Sequence, residues 1–199
     1  MISNYEITLQ NAMKRFCSYD MNKICAKAGV TDCGDQLTLC FLGSTVQIQK
    51  GTGAITVDGA PGDFCEGLSV FDWLCDGKED AKASGEFCPV SSLSRVYVSG
   101  SGLAMTPQKL ADAIDKAPEQ FEKACNLMGG KKRQTGDIGY EIEIFQGISV
   151  LLKFYFSDGE FPAHITFLWD QNILQFVRYE TVYYIAACLN QYLLRRMAR

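Results

Sequence analysis

Twice in this chain, three short runs of β-branched and aromatic residues follow one another with little between them but a glycine-bearing turn. The first set is QLTLCFL (36–42), STVQIQK (44–50) and AITVDG (54–59), separated by Gly43-Ser44 and by GTG. The second is YEIEIFQ (140–146), ISVLLKFYF (148–156) and PAHITFLWD (162–170), with turns at Gln146-Gly147 and Asp158-Gly159. Connections this short cannot carry a crossover, so consecutive strands must run antiparallel.

Helical patterns flank each set. Residues 3–29 read as one helix or a broken pair, capped by Asn4 and closed by Gly29. FCEGLSVFDWLCDG (64–77) places Phe64, Leu68, Phe71 and Cys75 on one narrow stripe, with Gly77 at the end. Its polar residues Glu66, Ser69, Asp72 and Asp76 fall off that stripe. After an irregular connection over 77–105, in which SRVYVSG (94–100) has the pattern of a short strand, Thr106-Pro107 supplies an N-cap and a first-turn proline. Two helical pieces follow, 107–116 and 118–128, broken at Pro118 and ended by Gly129-Gly130. A last helix covers 177–197, with a stripe of Tyr179, Val182, Tyr183, Ala186, Leu189, Leu193 and Met197.

The fold class this order defines is α+β: two helix–three-strand–helix halves, mainly antiparallel, with helices packed on one side of the sheet. We expect one α+β domain over 1–199. Its halves, about 3–77 and 106–197, share F-x-G-x-x-V at the first hairpin: Phe41, Gly43 and Val46 in one, Phe145, Gly147 and Val150 in the other. A degenerate duplication explains the match, and so do the demands of a two-residue turn.

Composition excludes several classes. Apolar residues make up 47% and charged ones 21%, a balance that folds. The net charge of -4 offers no basic face for nucleic acid. Lys131-Lys132-Arg133 falls where a loop is expected, and Arg195-Arg196 ends a helix, where positive charge complements the dipole. The polar N-terminus has no signal-peptide core. The most apolar run, 181–194, falls short of the about 20 apolar residues that span a bilayer. The expectation is a cytoplasmic protein with neither a membrane nor a nucleic-acid partner.

Nine cysteines are many for this length. An odd number without a secretion signal argues against a disulfide framework. The nearest two, Cys33 and Cys40, stand seven positions apart, so no tight metal-ligand pair exists. Most read as small buried hydrophobes. Cys75, in the middle of its stripe, should be inert. A thiol or metal site would need Cys33, Cys65 and Cys88 to be gathered by the fold.

No catalytic constellation is visible. His164 is the only histidine and lies on the more polar face of its strand. No nucleophile elbow and no phosphate-binding glycine loop occurs. Asp63, Glu66 and Asp72, and Glu79-Asp80, read as solvated carboxylates. Asn190 falls inside the apolar stripe of the last helix, where a buried amide needs partners. Asp170 ends a strand before a loop, where it either lines a site or holds the turn.

One stretch carries a resemblance. Glu160-Phe161-Pro162, the strand ending Leu168-Trp169-Asp170, and TPQKLADAIDKAPEQFEKACNLMGG resemble the uncharacterised bacterial domain-of-unknown-function family 3786, over roughly 85–197. The first 80 residues fit it only in the order of their elements. The resemblance implies no assigned activity and no cofactor. Some members are joined to an iron–sulfur domain of the type found in corrinoid proteins of anaerobes. That implies an anaerobic setting and an accessory role near metalloenzymes, met here in trans because the iron–sulfur spacing is missing.

The expected function is thus a non-catalytic ligand-binding or accessory domain. Its partner would be a small molecule or a metalloenzyme, and its candidate ligand-binding residues are Asp170, Asn190, His164 and Glu160. The rivals are a thiol or metal protein using dispersed cysteines and an enzyme with carboxylates between the halves.

Overall fold

The computed structural model describes residues 4–93 and 107–198. SRVYVSG and the Thr106 cap lie outside the described residues. The N-terminal helical region is a broken pair, α1 (Asn4–Ser18) and α2 (Met21–Cys25). The break falls at Asp20, whose carboxylate accepts from the backbone of Asn22 and starts α2 afresh. Asn4 is already helical rather than a cap.

The first meander holds five strands, not three: β1 (Thr31–Asp32), β2 (Gln36–Phe41), β3 (Ser44–Gln49), β4 (Ile55–Val57) and β5 (Ala60–Pro61), all antiparallel in chain order. The two added strands are two residues long and exposed, so they carry no periodic signal. Helix α3 (Phe64–Asp76) follows. The second sheet contains β6 (Phe87–Pro89), β7 (Lys131–Arg133), β8 (Ile138–Phe145), β9 (Ile148–Tyr155) and β10 (His164–Asp170), in the order β6-β10-β9-β8-β7. Two helices precede β7, α4 (Gln108–Lys116) and α5 (Pro118–Leu127), divided at Pro118 as expected. Helix α6 (Tyr179–Met197) ends the fold.

The basic run Lys131–Arg133 is therefore an edge strand and not a loop. Lys132 pairs with Glu122 and Arg133 with Glu141. Charged side chains suit an edge, because they discourage further strand pairing.

The two halves are joined at their hairpin tips. The first turn is Leu42-Gly43, one residue earlier than the sequence suggests, because Phe41 faces Ser44 across the ladder. Phe145 faces Ile148 in the same way, so the F-x-G segments occupy equivalent register positions. The Phe41 and Phe145 rings stack at 4.9 Å. Leu42 donates its backbone N–H to the carbonyl of Ile144 at 3.0 Å. It does so from a left-handed conformation, φ 49°, that costs about 1–2 kcal/mol, offset by complete burial of its side chain.

Each tip also seats against a helix end of the other half. A Cβ on Gly43 would lie 2.7 Å from Cα of Met128, just after α5. A Cβ on Gly29, beyond α2, would lie 2.7 Å from Cβ of Gln146 at the second tip. The contacts are reciprocal.

Helix α3 is buried on every side from Glu66 to Cys75. It packs against α1 and α6 as well as the aromatic centre. This corrects the reading of Glu66 and Asp72 as solvated. Helices brought from both ends of the chain cover the face that lies off the apolar stripe. Both carboxylates are then satisfied by partners. Glu66 and Asp63 form a reciprocal cap at the start of α3, and Glu66 also accepts from the Tyr192 hydroxyl at 2.6 Å. Asp72 accepts from Arg15 and from the Thr181 hydroxyl, each at 2.6 Å.

Cys75 is buried as expected, and burial pushes its thiol up to about 11. A thiolate-selective reagent at neutral pH should therefore label the exposed Cys17, Cys33 and Cys40 and leave Cys75 unmodified in native protein. Peptide mapping that found Cys75 labelled as fast as Cys40 would remove this account of α3.

Candidate functional site

A cleft of about 810 Å³ opens between the N-terminal helical region and the segment that follows α3. One side is the α2 region, with Tyr19, Asn22, Lys23, Ala26, Lys27 and Ala28. The opposite side is the segment after α3, with Gly77, Lys78, Glu79, Ala81, Lys82 and Ala83. Trp73, Phe176 and the hairpin tip Gln146-Gly147 complete the lining. Both halves of the chain thus contribute.

Local sequence explains how these groups meet. Lys23 and Lys27 are four residues apart along α2 and its extension, and Lys78 and Lys82 are four apart in the facing segment. Gly77 lets that segment leave α3 close to the floor: a Cβ there would lie 2.8 Å from the carbonyl oxygen of Phe176 and 2.9 Å from that of Trp73. The backbone N–H of Lys78 then donates to the carbonyl of Gln175 at 2.8 Å.

Asp170 fixes the far end of the same segment. It is 1% exposed. Its carboxylate accepts from the backbone N–H groups of Ser84, Gly85 and Asn172 and from the Ser84 hydroxyl, at 2.8–3.0 Å. Asn172 in turn donates its side-chain amide to the carbonyl of Lys82. Asp170 lines no part of the cleft. It clamps the wall that carries Lys78 and Lys82.

The electrostatics are lopsided. Four ammonium groups meet one carboxylate, Glu79, in a protein of net charge -4. Lys23 pairs with Glu79 at 2.7 Å. Lys78 and Lys82 make no side-chain hydrogen bond or ion pair among the described residues. Lys27 lies 5.8 Å from the centroid of the Trp73 ring and donates to the Gly77 carbonyl at 3.2 Å. Burial lowers its pKa. A concave surface of one sign concentrates counter-ions of the other.

The residues singled out from sequence are not gathered here. His164 is exposed at the start of β10, with Nε2 2.8 Å from the Thr166 hydroxyl. Asp170 ends that strand, about 20 Å away at the rise of a β-strand. Glu160 is exposed in the preceding turn, its N–H donating to Asp158. Asn190 is half-buried on α6, and its Oδ1 has no hydrogen-bond partner. Among the described residues, no group of three or more His, Cys, Asp or Glu side chains is assembled as a metal site requires. Burial raises the pKa of Cys65, to about 11, and that of Cys88, so neither is poised as a thiolate ligand. Glu66 and Asp72 do lie between the halves, but every oxygen of both is already engaged.

The cleft's lysines, Trp73 and Phe176 carried no sequence signal of their own. K-x-x-x-K occurs twice, but each copy alone resembles any solvated helix face.

Fold and cleft together define an α+β fold of two five-stranded antiparallel sheets with a basic concavity lined by residues from the first 83 positions and from 146–176. The chain belongs to the family described as Domain of unknown function (DUF3786), whose model matches residues 20–192. The match takes in the N-terminal half, which from sequence fitted only by order of elements. No curated protein and no solved structure matches the chain. No helix among the described residues is long and apolar enough to cross a membrane.

Proposed function

We propose that this chain is a non-catalytic ligand-binding domain whose cleft holds a small organic anion carrying more than one negative charge. The observation that carries the reading is the excess of four lysines over one carboxylate around a floor containing Trp73 and Phe176. Exposed lysines attract such an ion, and the apolar floor favours one with a carbon skeleton over a bare inorganic ion. The clamp by Asp170 supports it, since the wall is held in place before any ligand arrives.

The wider setting is our reading too. All nine cysteines are unpaired, which suits a reducing cytoplasm. Resemblance to proteins joined to iron–sulfur domains supports an accessory role in anaerobic bacteria. We take the whole chain as one domain and its halves as a degenerate duplication, supported by the matching F-x-G positions and the reciprocal tip contacts.

Thermal unfolding with a panel of anions at matched ionic strength tests the cleft. Pyrophosphate, citrate and sugar bisphosphates at millimolar concentration should raise Tm, because a ligand bound only by the native state stabilises it. The variant Lys23→Ala/Lys78→Ala/Lys82→Ala should keep its fold and lose the shift. A panel that leaves Tm where chloride leaves it would defeat the reading.

A further inference from the structure

The four amines of the cleft are not equivalent. Lys23 has its carboxylate partner, and both side chains stand well out in water. Lys78 and Lys82 are exposed. Lys27 is half-buried and has no ion-pair partner among the described residues. Its Nζ has one neutral acceptor, the Gly77 carbonyl, and one face of the Trp73 ring. Phe145 stacks on that same indole, with ring centroids 4.4 Å apart and planes at 4°. This amine therefore gives up part of its hydration for weak replacements. Desolvation is the largest influence on it and favours the uncharged form, with Cys75, Glu79 and Asp76 each opposing more weakly.

An amine so placed, open to a cleft, adds to carbonyl groups in its neutral form. We infer that Lys27 is a nucleophilic amine that captures a small anionic aldehyde or ketone as an imine, while the neighbouring lysines hold the anionic group. The step balances without an oxidant or reductant. The nitrogen lone pair forms the C–N bond, and a proton moves from nitrogen to oxygen to give a carbinolamine. Loss of water then leaves C=N, which takes its further proton from solvent. Reversal by water releases ligand and amine unchanged. The inference rests on the anion-cleft reading and adds the carbonyl group to the ligand's chemistry.

The test uses the full chain with pyridoxal 5′-phosphate as probe, sodium cyanoborohydride to fix any imine, and mass-spectrometric peptide mapping at pH 7.5. Lys27 should be labelled at least tenfold faster than Lys109 or Lys123, which are exposed on α4 and α5. It should also outpace Lys23, Lys78 and Lys82, and excess pyrophosphate should suppress its labelling. Lys27→Arg removes the nucleophile, so the fast phase should vanish and should not pass to Lys23, Lys78 or Lys82; its reappearance at one of those three would overturn the assignment to Lys27. Labelling spread evenly over the four cleft lysines but suppressed by pyrophosphate would overturn the imine and leave the anion cleft standing. Even labelling of all lysines, with no protection anywhere, would overturn both.

Discussion

Asp170→Ala should lower the free energy of unfolding by about 3–5 kcal/mol in urea denaturation. One nearly inaccessible carboxylate accepts four hydrogen bonds, three of them from backbone N–H groups. Alanine leaves those donors without a partner, and bonds to a charged acceptor are the stronger kind. Asp170→Asn keeps the shape but turns an NH2 group toward some of the donors, and should cost about 2 kcal/mol. Because the clamp carries the cleft wall, both variants should also weaken anion binding without touching a lining residue. A loss below about 1 kcal/mol for the alanine variant would show that the segment 77–86 holds its place without Asp170.

Gly43→Ala should cost about 3 kcal/mol, while Gly147→Ala at the equivalent tip should cost only about 1 kcal/mol. Both glycines have left-handed backbones, φ 72° and 86°. The strain of giving a side chain to that conformation is common to both. The added methyl group meets different surroundings. At Gly43 it would press on the backbone of Met128 at 2.7–2.8 Å, and backbone cannot swing aside. At Gly147 nothing lies within 4 Å. Equal losses in the two variants would show that seating of the first tip on α5 contributes nothing to stability.

The sequence was readable wherever a pattern repeats over several residues. The long strands, the break at Pro118 and the buried Cys75 all follow from local periodicity. Thr31–Asp32 and Ala60–Pro61 did not, because a two-residue strand has no period and forms only when a neighbour offers its ladder. Glu66 and Asp72 show another limit. Periodicity finds the most apolar stripe of α3, but what covers the remaining faces comes from residues 57 positions earlier, at Arg15, and 109 later, at Thr181. The cleft was hidden for the same reason. Its two lysine pairs are unremarkable until folding sets them face to face. Asp170 was legible as a strand-end carboxylate, but its choice of partners 85 and 86 residues upstream was not.

The exchange of contacts between hairpin tips and helix ends constrains how this chain can change over generations. Lengthening either turn by one residue would lift its tip away from the opposite half, and extending α2 or α5 would displace the tip that rests there. These four places are bound as one unit of inheritance, although they lie far apart along the chain. The exposed outer strands β1, β5 and β7 are free to drift one by one. A length change at a tip has to be answered in the other half, so relatives of this protein should preserve both turn lengths together or alter them together.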